Sequence, residues 1–184
     1  MQLKQGDVDR KLFYAHPTFV EPMLDYIVRD FEKSRSALGD SSIGGLVICD
    51  SADQAKEMFR IFTAVYAERS SSAAALAQDS GQAIFAPATT GSYAERTQRA
   101  NRVKSAALIL HDVGTKDERK DWVEDFKAGK IDLLFVYNML LTGFDAKRLK
   151  KLYLGRVINA HNLLQALTRV HRTSNDFLYG YVWD

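Results

Sequence analysis

The residues best placed to do chemistry are an amide and two guanidiniums near the C-terminus. In Leu-Leu-Gln-Ala-Leu-Thr-Arg-Val-His-Arg (163–172), Gln165, Arg169 and Arg172 stand at i, i+4 and i+7, so a helix puts them on one face. Leu163, Leu167 and Val170 repeat that spacing two positions earlier and fall on nearly the opposite face, which buries in the domain. Two permanent charges one turn apart repel modestly in isolation, a cost that a site meeting triphosphate would offset. The planar guanidinium fork suits phosphate oxygens, and such an arginine can stabilise charge in a phosphoryl-transfer transition state. For the two arginines alone, a solvated basic helix face is the simpler reading; their neighbours reverse it.

Upstream, Asp-Leu-Leu-Phe-Val-Tyr-Asn-Met-Leu-Leu-Thr-Gly-Phe-Asp (132–145) reads as a buried strand running into a loop that holds Thr142, Gly143 and Asp145. Ligands of open α/β sheets bind at the carboxyl ends of strands, where this loop is expected. Gly143 would permit a backbone conformation or a close approach that a side chain blocks. Asp145 could hold a sugar hydroxyl or orient one of the arginines. Taken alone, an ordinary strand-to-helix turn would look the same. Earlier still, Leu-Ile-Leu-His-Asp-Val-Gly-Thr-Lys-Asp-Glu-Arg (108–119) is a strand ending in His111, followed by a glycine and by an arginine on the next helix; Phe126-Lys127-Ala128-Gly129 precedes the strand after that.

The elements that must position these groups alternate regularly. Apolar residues at Phe19, Met23, Ile27 and Phe31 predict a helix over Thr18 to Leu38, with Pro17 and Pro22 near its start. Gly-Gly-Leu-Val-Ile-Cys-Asp-Ser (44–51) reads as a buried strand, and Gln54 to Ala67 as a helix with Met58, Phe59 and Phe62 inward. The Ser-, Ala- and Gly-rich stretch 70–104 is read as a loosely structured insertion with one helix around Tyr93 to Val103. Then follow a strand Ala106–His111, a helix Asp117–Lys127 with Trp122, Val123 and Phe126 on one face, strands Asp132–Tyr137 and Lys151–Leu154, a helix Asn162–Arg172 and a strand Leu178–Trp183. Strands spaced by helices predict an α/β fold: a parallel sheet with right-handed crossovers, flanked by helices on both faces.

The order of these parts resembles the second RecA-like domain of superfamily 2 helicases. The strand and loop at 132–145 resemble motif V, Gln165-x-x-x-Arg169-x-x-Arg172 resembles motif VI, and the strand Leu46–Ser51 sits where motif IV would be. Within that superfamily, Lys130–Ala146, Leu149–Arg156 and Leu163–Val170 are similar to the motor subunit, R, of type I restriction enzymes. The resemblance is close from Leu108 to the C-terminus and looser back to Gly44. It divides the chain into a helical lead-in or linker, 1–43, and a RecA-like (P-loop NTPase-type) helicase domain, 44–184, carrying the insertion at 70–104. It implies that Arg169 and Arg172 face ATP and Mg2+ held mainly by a preceding domain, and that Gly143, Asp145 and Gln165 support nucleotide sensing. It also implies that Ser51, Thr142 and the loop after His111 lie toward the DNA backbone. The implied partners are double-stranded DNA, the preceding RecA-like and nuclease domains of one polypeptide, and the methyltransferase and specificity subunits. Motif VI departs from many helicases in carrying bulkier residues, Thr168 and His171, beside the arginines. The same fold and motifs would also serve another superfamily 2 DNA or RNA helicase, or a non-catalytic nucleic-acid binding module.

What the chain lacks narrows its expected activity. It has no GxxxxGK[ST] phosphate loop, no apolar strand ending in Asp-Glu to hold magnesium, and no Pro-Asp followed by Glu-x-Lys to form a nuclease centre. Alone, it is expected neither to hydrolyse ATP nor to cut DNA. With 25 basic and 23 acidic residues the formal charge is +2, too small to hold DNA by bulk electrostatics, so contacts must be local or shared. His16, His111, His161 and His171 show no ligand spacing with one another or with Cys49, so no metal site is expected. A single cysteine fits a reducing compartment, and no apolar run approaches the ~18 residues of a membrane span, so the chain reads as cytoplasmic. Lys147-Arg148-Leu149-Lys150-Lys151, the densest basic run, reads as solvated surface, with DNA phosphate contact the alternative.

Overall fold

The computed structural model describes residues 12–67, 101–138 and 144–155 and the strand 181–183. Five strands, β1 (Gly44–Ile48), β2 (Ala106–Ile109), β3 (Leu133–Val136), β4 (Leu149–Leu154) and β5 (Tyr181–Trp183), form one sheet in the order β2-β3-β1-β4-β5. Every pairing is parallel. This is the RecA-like α/β arrangement expected from the sequence. β1 is central and buried along its whole length, which is why it reads as an uninterrupted apolar run. Alternate residues serve opposite faces: Val47 joins one core cluster, while Leu46 and Ile48 join the other.

Helices α1 (Pro17–Leu38) and α2 (Ala52–Phe62) cover the first face, with a π-helical turn over Thr63–Ala67 extending α2. Helix α3 (Lys116–Lys127) covers the second, burying Phe126 with Trp122 and Val123 packed alongside. The chain of α1 turns in at His16, whose Nδ1 accepts from Thr18 N, and stops at Gly39, whose φ of 65° only glycine adopts without strain. Its buried face is Val20, Leu24, Ile27, Val28, Phe31 and Arg35, whereas Phe19 and Met23 flank that face. A strict four-residue repeat drifts about 40° per step around a 3.6-residue helix, so Phe19 and Phe31 cannot both be central. The family of contacts made by α1 is part of the main core: Phe31 lies within contact distance of Gly45 in β1, and α1 packs on α2.

The basic run at 147–151 is not a solvated surface. Arg148 is 10% exposed, and Lys150 and Lys151 are buried within β4, which begins at Leu149 rather than Lys151. Lys151 Nζ lies 2.7 Å from Asp30 on α1, and Tyr153 Oη donates to the same carboxylate at 2.8 Å. Arg148 donates to the carbonyls of Ser42 (2.7 Å), Phe126 (2.6 Å) and Ile131, and its guanidinium stacks over the Phe126 ring. Arg35 completes this network at the amino end of the sheet. It donates to Asp132 Oδ1 at 2.5 Å, to Ile43 O at 2.8 Å and to Arg102 O at 3.2 Å. Arg148 lies 3.8 Å from the same Asp132 oxygen, so two buried guanidiniums share one carboxylate.

Candidate functional site

The parallel sheet sends the loops after β1 and β2 to one edge, its carboxyl end. After β1 the chain passes through Cys49, whose N–H donates to Val136 O at 2.8 Å, and reaches Ser51 in extended geometry. Ser51 caps α2: its Oγ accepts from Gln54 N at 3.0 Å, leaving its own hydroxyl proton to donate. The positive end of α2 therefore points out of the sheet at this spot. Gln54, fully buried, ties the loop to the segment before α1, because Asp50 N donates to its Oε1 at 2.7 Å and its Nε2 donates to Tyr14 O at 3.1 Å.

Beside it, β2 delivers His111 to the surface, where it is exposed. Residues 111–115 are held by Arg119 on the following helix, which donates to the carbonyls of His111 (3.3 Å), Val113 (3.0 Å) and Gly114 (2.6 Å). Gly114 has φ 66°, and a Cβ there would come 2.8 Å from Trp122 Cη2, so the turn requires glycine. Thr115 and Glu118 form a reciprocal capping box at the start of α3. The backbone and side-chain hydrogen bonds of Thr115 hold the Glu118 carboxyl below its ordinary range. Lys56 on α2 reaches Asp112 at 2.6 Å, joining the two loops, and the pairing lowers the Asp112 pKa and raises that of Lys56. The edge thus carries a helix N-terminus, a hydroxyl and an imidazole on a framework fixed by tertiary hydrogen bonds. Among the described residues Lys56 and Arg119 are balanced by Asp50, Asp53 and Asp112, so these form no broad basic groove.

Of the residues singled out by sequence, Ser51 and His111 come together at this edge. Asp145 does not join them. Its neighbours Phe144 and Ala146 are buried with the second core cluster, and the Phe144 ring lies 5.8 Å from that of Phe126. Phe126 is near the end of α3, against Gly44 at the amino end of β1. The chain has therefore passed under the sheet by residue 144, correcting the expectation that the whole 142–145 loop stands at the carboxyl ends. Asp145 is exposed there. Thr142, Gly143, Gln165, Arg169 and Arg172 lie outside the described residues, as do the expected helix Asn162–Arg172 and residues 70–100 of the expected insertion. Among the described residues no three His, Cys, Asp or Glu side chains gather as a metal-binding group, and no helix is long and apolar enough to cross a membrane. Gln54, Lys56 and Asp112, which help fix the edge, were not singled out by sequence, whereas Arg119 was noted as the arginine on the helix after His111. Only the Thr-x-x-Glu capping signature was there to be read.

Comparison with known proteins gives these loops a context. The chain is 48% identical over 52 residues to the putative type I restriction enzyme MjaVIIP endonuclease subunit of Methanocaldococcus jannaschii, covering 28% of this chain and 5% of that protein. It is 46% identical over 50 residues to the type I restriction enzyme SauCOLORF180P endonuclease subunit of Staphylococcus aureus, covering 27% and 5% respectively. A longer stretch, 86 residues at 35% identity, matches the MjaIXP endonuclease subunit of M. jannaschii, 46% of this chain and 8% of the relative. The matched stretches thus span less than a tenth of these relatives' length. The family model for type I restriction enzyme subunit R domain 3 matches residues 42–183, taking in all five strands, α2 and α3. The chain belongs to the type I restriction enzyme subunit R domain 3 family.

Proposed function

We propose that this domain is the second motor domain of a type I restriction R subunit, an ATP-dependent translocase of duplex DNA that works with a nuclease domain on the same polypeptide. The observation that carries the reading is the joined pair of loops at the carboxyl edge. Ser51, 6% exposed at the N-terminus of α2, and exposed His111 on the Arg119-braced turn put a helix N-terminus and an imidazole at one edge, an arrangement that suits a phosphate backbone. Such contacts suit a domain that grips and releases DNA, because the edge has little net charge and binds tightly only when a second domain closes on the same duplex.

The described residues do not fit a complete nucleotide site. They include no phosphate cradle and no cluster of three His, Cys, Asp or Glu side chains. ATP and Mg2+ therefore belong to a preceding RecA-like domain. This chain's share is Arg169 and Arg172 as fingers toward the triphosphate, with Gly143, Asp145 and Gln165 beside them and Thr142 toward DNA. The displacement of Asp145 from Ser51 and His111 suits a division of labour, DNA at the carboxyl edge and nucleotide on another flank. Methyltransferase and specificity subunits complete the complex.

The test is Arg172→Ala in the full R subunit. ATP binding should persist while turnover falls by ~10³ or more, as for other arginine fingers. Unchanged turnover would remove Arg172 from the role and leave Arg169. A gel shift separates this from a stand-alone binding module: tight duplex binding by the 184-residue chain alone would favour the module.

A further inference from the structure

At the opposite, amino end of the sheet lies a cavity of about 170 Å³ lined by Arg35, Ser41, Arg102, Lys104, Ser105, Gly129, Lys130 and Asp132. We propose that it binds a phosphate-class oxyanion. A water takes roughly 30 Å³, so the space accommodates a five-heavy-atom anion. Four cationic side chains line it against one carboxylate. That carboxylate repels little, because both its oxygens are occupied: Oδ1 accepts from Arg35, and Oδ2 from the N–H groups of Lys104 and Ser105 at 2.8 and 3.3 Å. Lys130 also meets Asp125 at 2.7 Å, an exposed pair that leaves two of its ammonium hydrogens to donate.

Arg35 is 2% exposed and contributes charge rather than a free donor: its Nε is sealed from the cavity, and its terminal nitrogens donate to Arg102 O, Ile43 O and Asp132. Charge favours the same occupant. Arg35 and Arg148 share one aspartate, leaving net positive charge beside the cavity, and burial followed by Arg35 holds Arg148 below its ordinary range despite the pull of Asp132. An anion here would knit together four segments: α1, the chain at 102–105, the turn after α3 and the start of β3. The inference does not depend on the motor reading, since this cavity is at the far end of the sheet from Ser51 and His111.

The test is binding of inorganic phosphate to the 184-residue chain by titration calorimetry at fixed ionic strength, comparing wild type, Lys104→Gln/Lys130→Gln and, as a control outside the cavity, Lys120→Gln. Saturable binding is expected, weakened roughly tenfold in the double variant and unchanged in the control. No saturable binding, or equal binding by the double variant, would overturn the site. Arg102→Gln, which alters another exposed side chain of the cavity, provides the same reading should the double variant lose its native circular dichroism. A short duplex added as competitor identifies the source. Displaced phosphate makes a DNA backbone group the occupant, and retained phosphate makes it the free ion.

Discussion

Removing the carboxylate of Asp132 should destabilise this domain more than any change at its surface. Asp132 is buried, accepts from Arg35 at 2.5 Å and from the Lys104 and Ser105 N–H groups, and lies 3.8 Å from Arg148. Asp132→Ala strips the shared partner from the buried Arg35 guanidinium and the largely buried Arg148. Breaking a buried ion pair by deleting one member costs about 3–5 kcal/mol, mostly the penalty of the charge left behind. The two backbone N–H groups add little, since Lys104 is exposed and water can replace the lost acceptor. A loss of about 4 kcal/mol follows. With an unfolding entropy of about 2.1 cal/mol/K per residue over 184 residues, that is a fall in Tm of roughly 10 °C. Asp132→Asn, which keeps an acceptor but not the charge, should cost about half as much. Urea and thermal unfolding followed by circular dichroism measure both. The decisive comparison is Asp132→Leu combined with Arg35→Met, which removes the Arg35–Asp132 ion pair and should be more stable than Asp132→Ala. A loss under about 1 kcal/mol for Asp132→Ala would refute the view that this network holds α1, β3 and β4 together.

Two further outcomes follow from single side chains. Ser51→Ala removes the cap of α2 and should cost about 1 kcal/mol, recovered by Ser51→Thr or Ser51→Asp. In the full subunit, Ser51→Asp should still weaken DNA binding because it places an anion where backbone phosphate is proposed to sit; equal DNA affinity for Thr and Asp variants would remove Ser51 from that contact. Tyr153 gives a pH signature. Burial, then its hydrogen bond to Asp30, pushes its phenol far above the ordinary range. The unfolded chain ionises this tyrosine near pH 10 while the folded one does not, so the stability it contributes is complete below about pH 10 and declines as pH rises. Ultraviolet titration should show equal tyrosine ionisation before the unfolding transition in wild type and Tyr153→Phe, with one more tyrosine ionising in wild type after it, and full reversible ionisation by pH 11 would contradict the burial.

The elements were legible because buried parallel strands leave continuous apolar runs and covering helices leave periodic ones. β1, β2 and β3 fall inside the expected strands, the ends trimmed by one to three residues where the chain turns out of the sheet. The Lys147–Lys151 run was illegible for the opposite reason. Charge reads as exposure unless the partner is known, and Lys151 finds Asp30 121 residues away while Arg148 finds carbonyls up to 106 residues away. Arg35 misleads in the same way: it looks like the polar side of an amphipathic helix, yet it is the last residue of that helix's buried face.

The candidate site divides along the same line. Ser51 and His111 were named through the family resemblance, and both stand at one edge because each follows a strand of the same parallel sheet. Gln54 and Lys56 could not be found, because each acts through a loop that only the folded sheet brings alongside. Asp145 shows the limit of strand-end reasoning itself. A loop leaving the carboxyl end of β3 must return to the amino end of β4, since the two strands are parallel and both flank β1. Any residue late in that crossover is carried away from the edge where it began, and Phe144 packed on Phe126 shows that the return is well advanced one residue before Asp145. A residue's offset along a crossover, as well as its motif, therefore decides which edge of the sheet it can serve.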